Sequence, residues 1–159
     1  MGVLTIEREI TTSVPPTTMF KIFILENHIF LPKIAPHITV EILEGNGGPG
    51  TIKKTTFGAQ GSEFKYIKTK TEATDKEKLS HSYSIIEVEP KIERIEKITM
   101  EIKMEGSING GSIIKSCNKY YPKENCEIDE QKIKAKAEKA NAFFKVVEAY
   151  ILANPHLCN

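Results

Sequence analysis

Cysteine is scarce in this chain. Cys117, Cys126 and Cys158 are odd in number and unrelated in spacing, which excludes a disulfide framework and fits reduced thiols in a cytoplasmic protein. No Cys-x-x-Cys pair or histidine-rich spacing accompanies them, so neither a metal nor a cofactor is expected. The four histidines, His28, His37, His81 and His156, form no recognisable catalytic pair along the chain. Charge of one sign is also missing: 22 lysines and arginines nearly cancel 21 aspartates and glutamates, leaving no field to recruit nucleic acid or an anionic membrane. Long apolar runs are absent, since no eighteen apolar residues stand together, and Met1 to Arg8 lacks a basic leader. Neither secretion nor membrane spanning is expected. Met1-Gly2 begins a myristoylation pattern, but Ile6 stands where serine or threonine is required. Repeats, low-complexity tracts and linkers are lacking too, so residues 1–159 read as one domain of ordinary composition, 40% hydrophobic and 27% charged.

What is present is mostly alternation. Leu4, Ile6 and Ile10 alternate with Thr5, Glu7 and Glu9 across Val3 to Ser13, as in a strand with one wet face, and Pro15-Pro16 ends it. Further strands are expected near residues 39–44, 51–58, 63–73, 79–87, 92–105 and 112–121, divided by glycine, Asp-Lys and Asn-Gly-Gly punctuation. The clearest places Ile98, Met100, Ile102 and Met104 against Thr99, Glu101, Lys103 and Glu105, a period of two that requires one buried face. Helical spacing of Met19, Phe20, Phe23 and Ile24 predicts a short helix over 17–25, and a second over 27–34 carries Ile29, Phe30 and Pro32. From Asp129 to Ala153 the period changes: Ile133, Ala137, Ala140, Phe144, Val147 and Ile151 recur every three or four residues. That predicts a long amphipathic helix of about 37 Å, with Asp129 as N-cap and Asn154-Pro155 as the stop.

Seven strands, short connections and one terminal helix point to an α+β fold, a curved antiparallel sheet wrapped around that helix. Periodicity alone leaves two outcomes open, a densely packed interior and a hollow one able to take a small molecule.

The stretch Glu44 to Lys54 holds Gly45, Asn46, Gly47, Gly48, Pro49 and Gly50. Such a loop can gather backbone N–H groups into an anion-attracting concavity. A nucleotide P-loop is excluded, because Gly50 is followed by Thr51 and Ile52 before Lys53, and the β-branched run 51–57 predicts a strand rather than a helix.

This loop, with Phe64-Lys65-Tyr66, Tyr83 to Glu87, Ile95 to Ile98, Gly110 to Ile113 and Val147 to Ala153, resembles the intracellular class-ten pathogenesis-related proteins of plants, the family of the major birch pollen allergen. The resemblance runs the whole length of the chain, in order and at near-constant spacing. It implies a helix-grip fold: a seven-stranded sheet gripping the long helix, two short helices in a V beneath its end, and a large apolar cavity. It further implies a monomer that binds flavonoids, cytokinins or other hormones, fatty acids or steroids, and it raises IgE cross-reaction through the exposed glycine loop.

Projected onto that plan, the cavity-facing residues are Phe23, Phe30, Phe57, Phe64, Tyr66, Tyr83, Ile85, Ile98, Met100, Ile102, Ile113, Ala137, Asn141 and Phe144, with Lys115 as a further polar candidate. Tyr66, Tyr83, Asn141 and Lys115 would orient a polyphenol or hormone, and the methionines would adapt to its shape. The family has also been described as ribonucleases, through positions that match Lys53, Glu96, Glu148 and Tyr150; RNA is a partner only under that alternative. A simpler role for Glu148 is to secure the helix to the glycine loop by accepting backbone N–H bonds. Two related branches fit less well. The turns 58–62 and 89–91 lack the gate and latch of abscisic-acid receptors, and a norcoclaurine-synthase-like site would ask Lys115 and Tyr83 to share one cavity.

Overall fold

A computed structural model describes residues 2–58 and 64–158. Seven strands, β1 (Leu4–Thr12), β2 (Ile38–Glu44), β3 (Ile52–Phe57), β4 (Tyr66–Asp75), β5 (Ser80–Glu89), β6 (Ile95–Gly106) and β7 (Ser112–Pro122), form one sheet in the order β1-β7-β6-β5-β4-β3-β2. Every pairing is antiparallel. Only β1 is out of sequence, and it pairs with β7 from Leu4↔Tyr120 to Thr12↔Ser112. Register shifts in β2, β4, β5 and at the start of β6 mark bulges, which bend a sheet and sharpen its twist.

Between β1 and β2 lie α1 (Pro16–Phe20), which widens into a π-helical turn (Lys21–Leu25), and α2 (Asn27–Ile34). Pro16 suits the first helical turn, where its missing N–H would have no partner in any case. The long helix α3 spans Glu130–Ala153. Asp129 caps it, its Oδ1 accepting from the N–H groups of Gln131 (3.1 Å) and Lys132 (3.3 Å), and Pro155 begins a short 3-10 turn beyond its end.

The inward residues of α3 differ from one end to the other. Its C-terminal half buries Phe144, Val147 and Ile151 against Phe20, Met19 and Ile22 of the short helices and Met104 and Ile114 of the sheet, a continuous solid core. Phe23 stacks on Phe144 at 4.2 Å between ring centroids and meets Phe143 edge-on at 5.9 Å. The N-terminal half has only Ile133 fully buried, beside Ile98 and Tyr120. The next inward positions are the small Ala137 and Ala140. Large side chains thus fill the C-terminal end of the grip, and between Ile133 and Phe144 the inward positions Ala137 and Ala140 carry only methyl groups.

Candidate functional site

A chamber of about 190 Å³ lies under the alanine stretch of α3. Its floor is the inner row of β5 and β6, Tyr83, Ile85, Ile98, Met100 and Ile102, brought side by side by the pairings Tyr83↔Met100 and Ile85↔Ile98. Ile67, Val88 and Ile92 extend the apolar wall, and Phe64 with Lys136 flanks the helix side, the Lys136 ammonium lying 4.8 Å from the Phe64 ring centroid. This volume falls short of the ~300–1,000 Å³ usual for drug-sized ligands, so the expected large cavity is a small one here. Phe23, Phe30, Phe57 and Phe144, expected from sequence to face the cavity, pack instead into or against the solid core.

The polar lining consists of Arg8, Tyr83, Asn118, Tyr120 and Lys136. Arg8 stands on β1 opposite Ser116 and turns under the helix, its Nη1 donating to Asn141 Oδ1 (2.7 Å) and more weakly to the Ala137 carbonyl (3.4 Å). Its Nε is buried without an acceptor, and no carboxylate pairs with it among the described residues. Burial lowers the Arg8 pKa, opposed by the neighbouring Tyr120 and Tyr83. Tyr83 is pushed up to about 12, chiefly by burial and against the pull of Arg8. Tyr120 is also raised by burial, offset in part by Arg8 and by its hydrogen bond with Asn118. Both phenols therefore stay neutral at physiological pH and keep their O–H groups.

Arg8, Asn118 and Tyr120 were missed from sequence. Arg8 shares the parity of Leu4, Ile6 and Ile10, so the alternation of β1 already carried the signal. On β7 the buried row is Ser112, Ile114, Ser116, Asn118 and Tyr120, which puts Ile113 and Lys115 on the outer face. Three of those five inward residues are polar, so hydrophobicity reads the strand out of phase. Ser112 is accommodated by donating its Oγ proton to the Val14 carbonyl (2.5 Å).

Lys115 instead pairs with Glu105 at 3.4 Å on the outside, on the opposite face from Tyr83, and the norcoclaurine-synthase-like pairing is lost. Tyr66 is outward as well, its hydroxyl donating to Glu87 Oε2 (2.5 Å) and its ring lying under Lys54 at 4.5 Å; its neighbour Ile67 faces the chamber. Asn141 reaches the chamber only through Arg8. The abscisic-acid-receptor comparison at 58–62 falls largely outside the described residues.

The glycine loop consumes its own donors. Gly47 N–H donates to Thr51 Oγ1 (2.8 Å), Gly48 N–H to Asn46 Oδ1 (3.1 Å), Gly50 N–H to the Thr71 carbonyl (2.8 Å) and Thr51 N–H to the Gly48 carbonyl (3.1 Å). These bonds replace the anticipated anion concavity and the anticipated tie to Glu148, whose carboxylate lies 3.7 Å from Lys145 on its own helix. Gly45 has φ +92°, and a Cβ there would come within 2.6 Å of Thr51 Oγ1 and 2.8 Å of Thr51 Cα, so only glycine closes this turn.

The four ribonuclease candidates stand on three elements, β3, β6 and α3. Lys53 is half-buried, its ammonium donating to Asn27 Oδ1 (2.9 Å) and the Ile24 carbonyl (3.2 Å), a strut between β3 and the short helices, and burial lowers its pKa. Glu96 is exposed within the bulge of β6, and Glu148 and Tyr150 are half-buried on α3. Among the described residues no hydrogen bond or ion pair joins any two of them.

A larger open depression, about 840 Å³, lies on the outer face over the rows Ser82-Glu101-Cys117-Glu7 and Ser80-Lys103-Lys115-Glu9. Charged walls exposed to solvent give it little power to hold an apolar guest.

A bent antiparallel sheet gripping one long helix over an apolar chamber is a helix-grip fold. The chain belongs to the Pathogenesis-related protein Bet v 1 family, whose model matches residues 1–154. It is 48% identical over 161 residues to Major allergen Pru ar 1 of Prunus armeniaca, covering 100% of both chains. With Major strawberry allergen Fra a 1-2 of Fragaria ananassa it shares 49% over 158 residues, 98% of each. The solved structure of Ara h 8.0201 superposes with a TM-score of 0.83 at 34% identity, covering 96% of this chain and 99% of that one.

Proposed function

We propose that this chain is a defence- and stress-related carrier that takes up a small hydrophobic or amphipathic molecule between the sheet and α3. The observation that carries the reading is the apolar row Ile85, Ile98, Met100 and Ile102 facing Ala137 and Ala140, with no side chain among the described residues filling the gap. Of the ligand classes associated with the family, chamber size favours single-ring phenolics and other single-ring molecules over flavonoids and steroids. A cavity of ~150 Å³ holds benzene, and 190 Å³ adds only a short substituent. The neutral hydroxyls of Tyr83 and Tyr120 supply donors for orientation. Titration with a small neutral polarity-sensitive dye, followed by displacement with simple phenols, tests the proposal; saturable, displaceable binding is expected, and its absence refutes it.

Cytoplasmic residence belongs to the same proposal, supported by the free thiols of Cys117 and Cys126 and by the lack, among the described residues, of a helix long and apolar enough to cross a membrane. The mostly exposed loop 44–50 and the near-half identity to major allergens support a further role as an IgE-binding surface shared with those relatives. Inhibition of serum IgE binding to a relative by this protein, and loss of that inhibition when the loop is replaced, is the corresponding test.

A further inference from the structure

We propose that the chamber selects small monocarboxylates, an aryl or short alkyl body resting on Ile98, Met100 and Ile102 and its carboxylate paired with the Arg8 guanidinium. The inference rests on the carrier reading and adds the charge of the guest. Arginine stays protonated throughout the physiological range, and a cation withdrawn from water is costly unless an anion or a full set of acceptors compensates it. Arg8 has neither. Nη1 is used by two neutral oxygens, Asn141 Oδ1 and the Ala137 carbonyl, Nε is buried without an acceptor, and no described bond engages Nη2. The donors left over are the Nε–Nη2 edge of the planar fork, which matches the two oxygens of a carboxylate.

The surroundings agree with this edge waiting for an anion. Tyr83 and Tyr120 lie close enough to feel the Arg8 charge and, being protonated, add hydroxyl donors rather than competing negative charge. Among the described residues no acidic side chain lines the chamber, and its second cation, Lys136, is on the helix. The body is limited by volume: one ring and a short acid arm fill about 190 Å³, whereas a long-chain acid would not fit.

The test compares 3-phenylpropionate with its primary amide, nearly equal in shape, at pH 7 by calorimetry or by displacement of a neutral dye from the whole protein. The acid should bind about tenfold or more tightly than the amide, the increment expected of a hydrogen-bonded ion pair over a neutral contact. In Arg8→Gln that ratio should fall to about one, and in Arg8→Lys it should be partly restored, with the β-rich circular dichroism spectrum monitoring the fold. Equal affinity of wild-type protein for acid and amide, with the dye still bound, overturns the proposal and leaves the carrier reading standing; this comparison needs no variant. A preference for the acid that persists in Arg8→Gln also overturns it, by assigning the anion to Lys136. Failure of the dye to bind at all strikes the carrier reading itself.

Discussion

Replacing Ala140 with leucine separates a hollow interior from a filled one by the sign of the effect. Ala140 lines the chamber from the inward face of α3, and leucine adds three carbons at a helix-favouring position. If they enter empty apolar space, each gains about 0.8 kcal/mol of transfer free energy. Ordering the longer side chain takes back about 0.5–1 kcal/mol, leaving a net stabilisation of about 1.5 kcal/mol. For a chain of this size that raises Tm by roughly 3–6 °C. The same leucine occupies the space a guest needs, so affinity for a neutral chamber dye should drop about tenfold or more. Guanidinium midpoints and dye titrations on the two proteins give both readouts. In a solid interior the added carbons would overpack, lowering stability by ~1–3 kcal/mol, and dye binding would not change; that pair of results would refute the reasoning.

Three other outcomes follow from local geometry. Burial, with a lesser push from the Lys53 ammonium, holds His81 at a pKa of about 4, below its ordinary value of ~6.5. The unfolded chain therefore binds the proton first, and stability should fall as pH drops from about 6.5 towards 4, by about 2–3 kcal/mol in all; equal losses in wild type and His81→Gln over that range, measured by chemical denaturation, would contradict this. A Cβ at Gly111 would lie 2.1 Å from the Thr12 carbonyl oxygen and 2.9 Å from Ser13 Cα, both main-chain atoms, so Gly111→Ala should cost about 3 kcal/mol, read as a lowered guanidinium midpoint. Tyr66→Phe and Lys115→Gln alter only the outer face and should leave dye affinity within about twofold, a result that would fail if either side chain reached the chamber.

The elements were legible because their signals are local. Ile98 to Met104 alternate without a break, and Asp129 and Asn154-Pro155 mark the ends of α3. Facing was harder to read. On β7, Ile113 and Ile114 are adjacent and the inner row is rich in serine and asparagine, since a strand lining a polar corner of a chamber need not be apolar there. Tyr66 and Ile67 pose the same ambiguity on β4. Arg8 escaped notice although the alternation of Leu4, Ile6 and Ile10 pointed it inward, because a charged side chain between two glutamates looks like part of a wet face.

The position of the chamber was not legible from apolar periodicity, which treats Ala137 and Phe144 alike. It depends on the volume of each inward residue of α3, large in the last three turns and at Ile133, and small between them at Ala137 and Ala140. The glycine loop was recognisable as a motif, yet its spare N–H groups were not: Thr51, Asn46 and Thr71 satisfy them through contacts that form only in the folded chain.

The measurement that bears most directly on a guest-holding space beneath the alanines of α3 is methyl NMR during titration with a neutral single-ring phenol. Resonances of Ile98, Met100 and Ile102 should shift together and saturate, while those of the exposed Ile86 and Ile108 stay in place. Shifts confined to Ile86, Ile108 or other outward methyls, with the inner three unmoved, would contradict the account.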